Sequence, residues 1–351
     1  MSTASCQARF RVMGSDAHVV VCGTASLLAS ARRRLDDLEQ KWSRFLPESE
    51  VSRLNTHTGT AVAVSADTVL LVLRAVDGWR ATGGWFDPLL LDAVRAAGYD
   101  RSFEQLAARA VGTDAMDDRG RTTEEEPQRR AAGVRHDRGQ VIAIDPAAIS
   151  PGAIDPTAIE IDRGGLVRLP VGAGFDPGGL GKGLAADVVA VEVMAEGADG
   201  VCVNVGGDLR VMGEAPDGAG WRIDVDAGVE LGGEVDAGGS GGGPPLYRVA
   251  LADGGVASTS RLRRCWRQDG EHRHHLIDPL THAPSQSDVV AVTVMAAQGW
   301  QAEVLTKAAF LGGAEGGRLI ERCRAAALIV RTGGRSLTGG QWATWAVGTA
   351  A

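Results

Sequence analysis

The sequence predicts an α+β fold in which mixed or antiparallel sheets pack against helices. Three observations carry this. Strand-like runs outnumber helical ones, the helical runs are long but irregularly placed, and the chain opens with alternating apolar and polar residues on both sides of a break. A doubly wound sheet would instead alternate strand and helix regularly.

The opening alternation spans Phe10 to Gly23 around Gly14-Ser15-Asp16, which predicts a hairpin with Met13 at its turn. From Ala25 the period changes: Leu28, Ala31, Leu35, Leu38 and Trp42 share one helical face. A second helix is expected from a Ser65 cap through Leu70, Leu73 and Val76 to a stop at Gly83-Gly84. Between Gly112 and Ser150 lie the acidic run Glu124 to Glu126 and little periodicity, the mark of an exposed insertion, and Ile144-Asp-Pro-Ala-Ala-Ile is nearly repeated from Ile154. Helices are expected over 181–196 and 300–311, and strands over 201–205, 221–225, 247–251, 289–295, 325–331 and 341–347. The tract from Gly228 to Pro245 is too rich in glycine to order a core and reads as a loop joining two strands.

Composition narrows the function classes. At 351 residues the chain is long enough for a substantial core, as one large domain or two ordinary ones. A net charge of -8 argues against non-specific nucleic-acid binding, which clustered Lys and Arg drive. The 48 glycines, about twice the usual share, point to tight turns and close backbone approach to a ligand. Five widely spaced cysteines form no metal-ligand pattern and suit a reducing compartment. With no apolar run of about 20 residues and no apolar stretch in the opening residues, a cytoplasmic location is expected.

Four segments have the residue types for chemistry. Asp176-Pro-Gly-Gly-Leu-Gly-Lys-Gly-Leu-Ala-Ala-Asp187 places a glycine-rich turn and Lys182 at a helix start, where backbone N–H groups, the helix dipole and an ammonium face an anion such as a pyrophosphate. It has neither the Walker A spacing nor G-x-G-x-x-G after a strand, and ordinary turn chemistry is the alternative. Val203-Asn-Val-Gly-Gly-Asp208 ends a strand with a carboxylate at its tip, either functional or bonded to local backbone. In His274-His-Leu-Ile-Asp-Pro279 the adjacent histidines point to opposite faces of a strand, so a two-His metal site is the weaker reading. Thr82-Gly-Gly-Trp-Phe-Asp-Pro88 brings aromatics beside glycines, to grip a planar ring or to plug the core.

Taken in order, these segments resemble the FAD:protein FMN transferases, the ApbE-like flavin transferases. The resemblance runs from Met13-Gly14-Ser15 through Trp42-Ser-Arg-Phe-Leu-Pro-Glu-Ser-Glu-Val-Ser-Arg-Leu-Asn55, Gly83 to Pro88, Asp176 to Asp187, Asn204 to Asp208 and His275 to Thr281, ending near Gly312. It implies one ApbE-like, T-fold-like domain over 1–351, with insertions at about 112–150 and 228–245. It implies transfer of the FMN half of FAD to a Ser or Thr hydroxyl of an acceptor flavoprotein, with release of AMP. An FAD hydrolase giving FMN and AMP, or a non-catalytic FAD carrier, are the other readings. By the same resemblance Met13 and Phe45 line the cleft, Trp85, Phe86 and Asp87 contact FAD, Asp176 and Lys182 flank the diphosphate, and His275 lies toward the flavin. Asp176 and His275 are the expected catalytic residues.

The family holds Mg²⁺ with a carbonyl of the glycine-rich turn and oxygens of a later Ala-Asp-x-x-[AD]-Thr segment, which would make Gly179, Glu303 and Thr306 the ligands here. The aligned segment is Ala302-Glu-Val-Leu-Thr-Lys307, with Glu303 for the Asp and Lys307 in place of the Thr hydroxyl. A protonated lysine has no lone pair for a metal. Either the metal binds with Lys307 turned away, or the ammonium takes the cation position. Glu303 and Lys307, four apart on one helix, would then pair beside the ligand, share a looser metal site, or form a solvated surface pair. A second departure is Ser260-Arg261 where relatives have Ser-Gly, and Arg does not freely replace a glycine at positive φ.

Overall fold

The computed structural model describes residues 4–103, 105–106, 154–225, 247–268 and 271–349. The expected insertions at 112–150 and 228–245, with the acidic run and the first Ile-Asp-Pro copy, lie outside the described residues. The centre is an eight-stranded sheet: β1 Ser5–Val12, β2 Ser15–Cys22, β3 Gly200–Val205, β4 Asp208–Gly213, β5 Gly254–Ser260, β6 Val289–Ala296, β7 Ala326–Arg331 and β8 Ser336–Gly340. Spatial order follows chain order and every neighbouring pair is antiparallel.

The helices are α1 Ala25–Trp42, α2 Glu50–Thr56, α3 Ala66–Thr82, α4 Leu91–Ala96, α5 Gly181–Ala195, α6 Gly299–Leu311, α7 Gly313–Arg322 and α8 Trp342–Trp345. Helices α1, α5 and α6 cover one face of the sheet. The other face meets a small sheet of Trp221–Val225, Tyr247–Leu251 and Ala346–Thr349. Burial on both faces explains the near-continuous apolar run of β3. Val201, Val203 and Val205 face the helices, while Cys202 joins the cluster on the opposite side.

Several sequence expectations shift. The hairpin turns on Met13 and Gly14, both at positive φ, so Ser15 and Asp16 belong to β2 rather than to the break. Two consecutive positive-φ residues match the twist of flanking strands. Ser65 does precede α3, yet its N–H and hydroxyl donate to the Glu50 carboxylate at 3.0 and 2.7 Å, and its side chain caps no helix N–H. Gly83, at φ +62°, closes α3 as expected. The strand expected over 341–347 is instead the turn of α8 followed by Ala346–Thr349. Gly340 at φ +62° breaks the extended chain, and the turn buries Trp342, whose ring meets Tyr247 edge-on. Among the described residues, no helix is long and apolar enough to cross a membrane.

The helix pair α5/α6 positions the site. A Cβ at Gly183 would stand 2.5 Å from the Gly299 carbonyl oxygen, so only glycine permits this crossing. Asp187 on α5 accepts the N–H groups of Gly299 and Trp300, both at 2.8 Å, and so caps α6 from a neighbouring helix. Burial nevertheless pushes the Asp187 carboxyl up to about 6.

Candidate active site

A cavity of about 470 Å³ opens where the Asp176–Lys182 turn, the Thr82–Pro88 loop, the end of α1 and the segment after His274 converge. Its size is in the range of small-molecule sites. Every expected cleft residue that the resemblance assigned to FAD lines it: Met13, Phe45, Trp85, Phe86, Asp87, Asp176, Lys182 and His275.

The glycine-rich turn is held at both ends. The Asp176 N–H donates to the Pro88 carbonyl at 2.8 Å, tying the turn to the aromatic loop, and its carboxylate accepts the Gly178 N–H at 2.9 Å. Thr82 accepts the Phe86 N–H at 3.1 Å and donates to the Gly78 carbonyl, which anchors the loop to α3. Phe86 is buried against Gly78 and Gly179 and takes the core-plugging role. Trp85 differs: its indole N–H is buried at the cavity wall with no partner among the described residues. Asp87 accepts the Leu89 N–H at 2.7 Å, and burial pushes its carboxyl up to about 6.

The histidine pair divides its roles. The His274 ring bonds the Ser285 carbonyl through Nε2 at 3.0 Å and accepts the Leu276 N–H, a structural tie. His275 faces the cavity, with Nδ1 3.3 Å from the Arg264 carbonyl. Burial, then the charges of Arg264 and Lys307, holds the His275 imidazole well below its ordinary range, so it is neutral. A carbonyl can only accept, so Nδ1 carries the proton and Nε2 keeps its lone pair.

Under the cavity, Lys182 reaches two carboxylates from distant segments, Asp208 in a short contact and Glu303 at 3.1 Å. Asp208 therefore serves this cluster rather than its own turn, and also accepts the Ser258 N–H at 3.3 Å. Glu303 is completely buried, which overturns the solvated pair with Lys307; its ion-pair partner is Lys182, and its second oxygen accepts the Gly183 N–H at 2.8 Å. Burial alone would lower the Lys182 ammonium, but Asp208 and Glu303 raise it above its ordinary value. Lys307 borders the cavity and donates to the Thr306 hydroxyl at 3.2 Å. Burial lowers its ammonium below the ordinary lysine value, against the opposing pull of Glu303 and Asp208.

This donor set does not fit a divalent cation. Glu303 is committed to an ammonium and a backbone N–H, and the Thr306 hydroxyl donates to the Glu303 carbonyl at 2.7 Å. A Cβ at Gly179 would stand 3.3 Å from Lys307 Cε, so the lysine stem occupies the space beside the turn. Among the described residues, no group of three or more His, Cys, Asp or Glu is arranged to hold a metal. Arg261 meanwhile adopts no positive φ, and its guanidinium donates to the Ser287 carbonyl at 2.9 Å.

Three cavity residues were not singled out in the sequence. The Arg44 guanidinium lies over the adjoining rings of Phe45 and Tyr99, at 4.3 and 4.5 Å from their centroids, and its Nε is 3.5 Å from Asp176. Arg264 reaches Ser15 at 3.2 Å and the Tyr99 hydroxyl at 3.4 Å. Arg44 sits inside the segment from Trp42 to Asn55 and was within reach of a reading that asked what pairs with Asp176. Tyr99 and Arg264 occur in no motif, so their arrival at the cavity is a product of tertiary folding alone.

Known proteins resemble this chain in sequence and in fold. A Vibrio cholerae protein named FAD:protein FMN transferase is 26% identical over 308 residues, covering 86% of this chain and 77% of the relative. A Treponema pallidum protein of the same name is 28% identical, covering 80% and 70%. The crystal structure of the ApbE protein of Thermotoga maritima superposes with a TM-score of 0.74 at 22% identity, over 97% of this chain and 99% of that one. The flavin transferase ApbE of Vibrio cholerae gives 0.70 at 21% identity, with the same coverage. The family model described as "ApbE family" matches residues 13–330, a span that begins at the Met13 turn and takes in the cavity, and the chain thereby belongs to the ApbE family.

Proposed function

We propose that this protein binds FAD and transfers its FMN half to a Ser or Thr hydroxyl of an acceptor flavoprotein, releasing AMP. The observation that carries the reading is the convergence on one cavity of a neutral, single-tautomer His275 and an ammonium, Lys307, across from aromatic rings. Phosphoryl transfer demands positioning and charge neutralisation more than covalent help. In the proposed step the acceptor oxygen attacks the FMN-side phosphorus and its proton passes to His275 Nε2. The bond from that phosphorus to the bridging oxygen breaks, and that oxygen leaves with AMP. Trp85 and the Arg44–Tyr99 wall hold the ring systems. The Asp176–Lys182 turn presents backbone to the diphosphate at the start of α5, and Asp176 keeps that turn closed. This reading takes the chain as one FAD-binding unit, and its unpaired cysteines suit the cytoplasm.

Incubation with FAD and an acceptor flavoprotein should yield AMP and protein-bound flavin in equal amounts. AMP alone would identify a hydrolase, and retained FAD without AMP a carrier. His275→Asn should slow transfer by about 10²- to 10⁴-fold with an unchanged melting temperature. A rate equal to wild type would remove His275 from the proton path.

A further inference from the structure

We propose that the Lys307 ammonium takes the place of a divalent cation against the diphosphate, so that this chain cleaves FAD with no bound metal. The inference rests on the FMN-transfer reading. Two lysines meet the same buried floor, but they are not equivalent. Lys182 contacts both carboxylates of that floor, Asp208 and Glu303. Lys307 has no carboxylate within ion-pair distance among the described residues, and its one polar contact is the neutral Thr306 hydroxyl. A half-buried ammonium that touches no carboxylate gains a direct partner when an anion arrives from outside.

The position of that ammonium matters as much as its charge. Its stem runs beside Gly179, in the turn that leads into α5, so turn N–H groups and Lys307 border the same part of the cavity. Two of the three groups expected to bind Mg²⁺ are engaged otherwise, and the third lies beside the lysine. Glu303 accepts from Lys182 and Gly183, Thr306 hydrogen-bonds within α6, and Gly179 abuts the lysine stem. A divalent ion would also have to enter beside two ammonium groups, whereas a diphosphate is drawn to them. Diphosphate cleavage needs positive charge beside the leaving oxygen. Here a side chain supplies it without a separate binding event.

The test uses the whole protein stripped with EDTA and passed into metal-free buffer. Wild type should bind FAD there, release AMP in the presence of acceptor within about two-fold of its rate in Mg²⁺, and take up no stoichiometric Mn²⁺ in an electron paramagnetic resonance titration with FAD bound. Lys307→Thr should lose about 10- to 100-fold in metal-free FAD affinity, the scale of one charged hydrogen bond, and regain turnover with Mg²⁺. Should Lys307→Thr fail to fold, Lys307→Gln carries the same affinity prediction. One Mn²⁺ bound per wild-type chain, or wild-type AMP release abolished by EDTA and restored by Mg²⁺, overturns the proposal. Absence of AMP release under every condition would sink the transfer reading instead, while the Mn²⁺ titration still decides whether a metal site exists.

Discussion

Arg34 and Lys41 on α1 share the carboxylates of Asp37, Asp67 and Glu192 near the surface, whereas beneath the cavity Lys182 meets Asp208 and Glu303 while Lys307, close by, touches only Thr306. Each cluster has two basic side chains, and the carboxylates in each come from more than one segment. In the first, every cation is paired: Arg34 alone contacts three carboxylates, which ties α1 to α3 and α5. In the second, burial is deeper and Lys307 has no carboxylate within ion-pair distance among the described residues. Side-chain exposures of 18 to 45% in the first cluster fall to 17% or less for Lys182, Asp208 and Glu303. The difference separates a staple from a binding site. A cluster in which every cation touches a carboxylate holds elements together, and one in which a cation at the cavity touches none has a direct partner to gain from an anionic ligand.

The sharpest way to break the comparison is to remove the neutralising lysine of the buried cluster. Lys182→Met leaves two buried carboxylates without their ammonium and should cost about 3 to 5 kcal/mol of unfolding free energy. Adding Asp208→Asn and Glu303→Gln to the same chain should recover most of the loss, because the cost lies in the unpaired charges. Denaturant unfolding measures both. A loss below about 1 kcal/mol for Lys182→Met would place this cluster with exposed ion pairs.

The two clusters also differ in how far the sequence reveals them. Lys182 and Asp208 stood in motifs, as did Glu303 and Lys307, because each lies at a turn or in a segment with recognisable chemistry. Their mutual contacts were hidden. Lys182 and Glu303 are 121 positions apart and meet because Gly183 and Gly299 let two helices touch, a property of backbone packing that residue spacing does not encode. Periodicity led instead to the local partner, Lys307, one turn along α6. The fold was more legible, since β3 and β6 are buried on both faces and read as near-continuous apolar runs. Chain end 341–347 was not, because one glycine at positive φ converts an apolar stretch from strand to helical turn.

A pH titration sharpens the surface cluster. The Arg34 guanidinium, outweighing the effect of burial, holds the Asp67 carboxyl down at about 2, below its ordinary 3.8. A depressed carboxyl contributes stability that is fully present above its unfolded value and is lost as pH falls through the folded one. The window therefore lies between about pH 4 and pH 2. After allowance for solvent screening the contribution is roughly 1 to 2 kcal/mol. Urea midpoints for wild type and Asp67→Asn should differ by that amount at pH 6 and converge as pH falls toward 2. A difference that persists unchanged to pH 2.5 would mean that packing, not charge, makes Asp67 matter.

The smallest effect is expected at Lys41, and its smallness is what distinguishes the clusters. Lys41 contacts Asp37 and Asp67 at 2.6 and 2.8 Å, so by contact geometry alone it is better partnered than Lys307. Its side chain is still 25% exposed, and Arg34 remains in contact with both carboxylates when it is gone. Lys41→Met should therefore cost no more than about 0.5 to 1 kcal/mol, and less in 1 M salt, where exposed charges are screened. FAD affinity should not change, since Lys41 points into the surface network and does not line the cavity. Lys307 has poorer contacts, yet its removal is expected to weaken FAD binding at least ten-fold while changing stability little, because among the described residues its ammonium touches no carboxylate and faces the ligand cavity. Measuring unfolding and FAD titration on both variants tests the pair together. If Lys41→Met weakened FAD binding as much as Lys307→Gln did, the loss would reflect the protein's overall field, and the distinction between staple and site would fail.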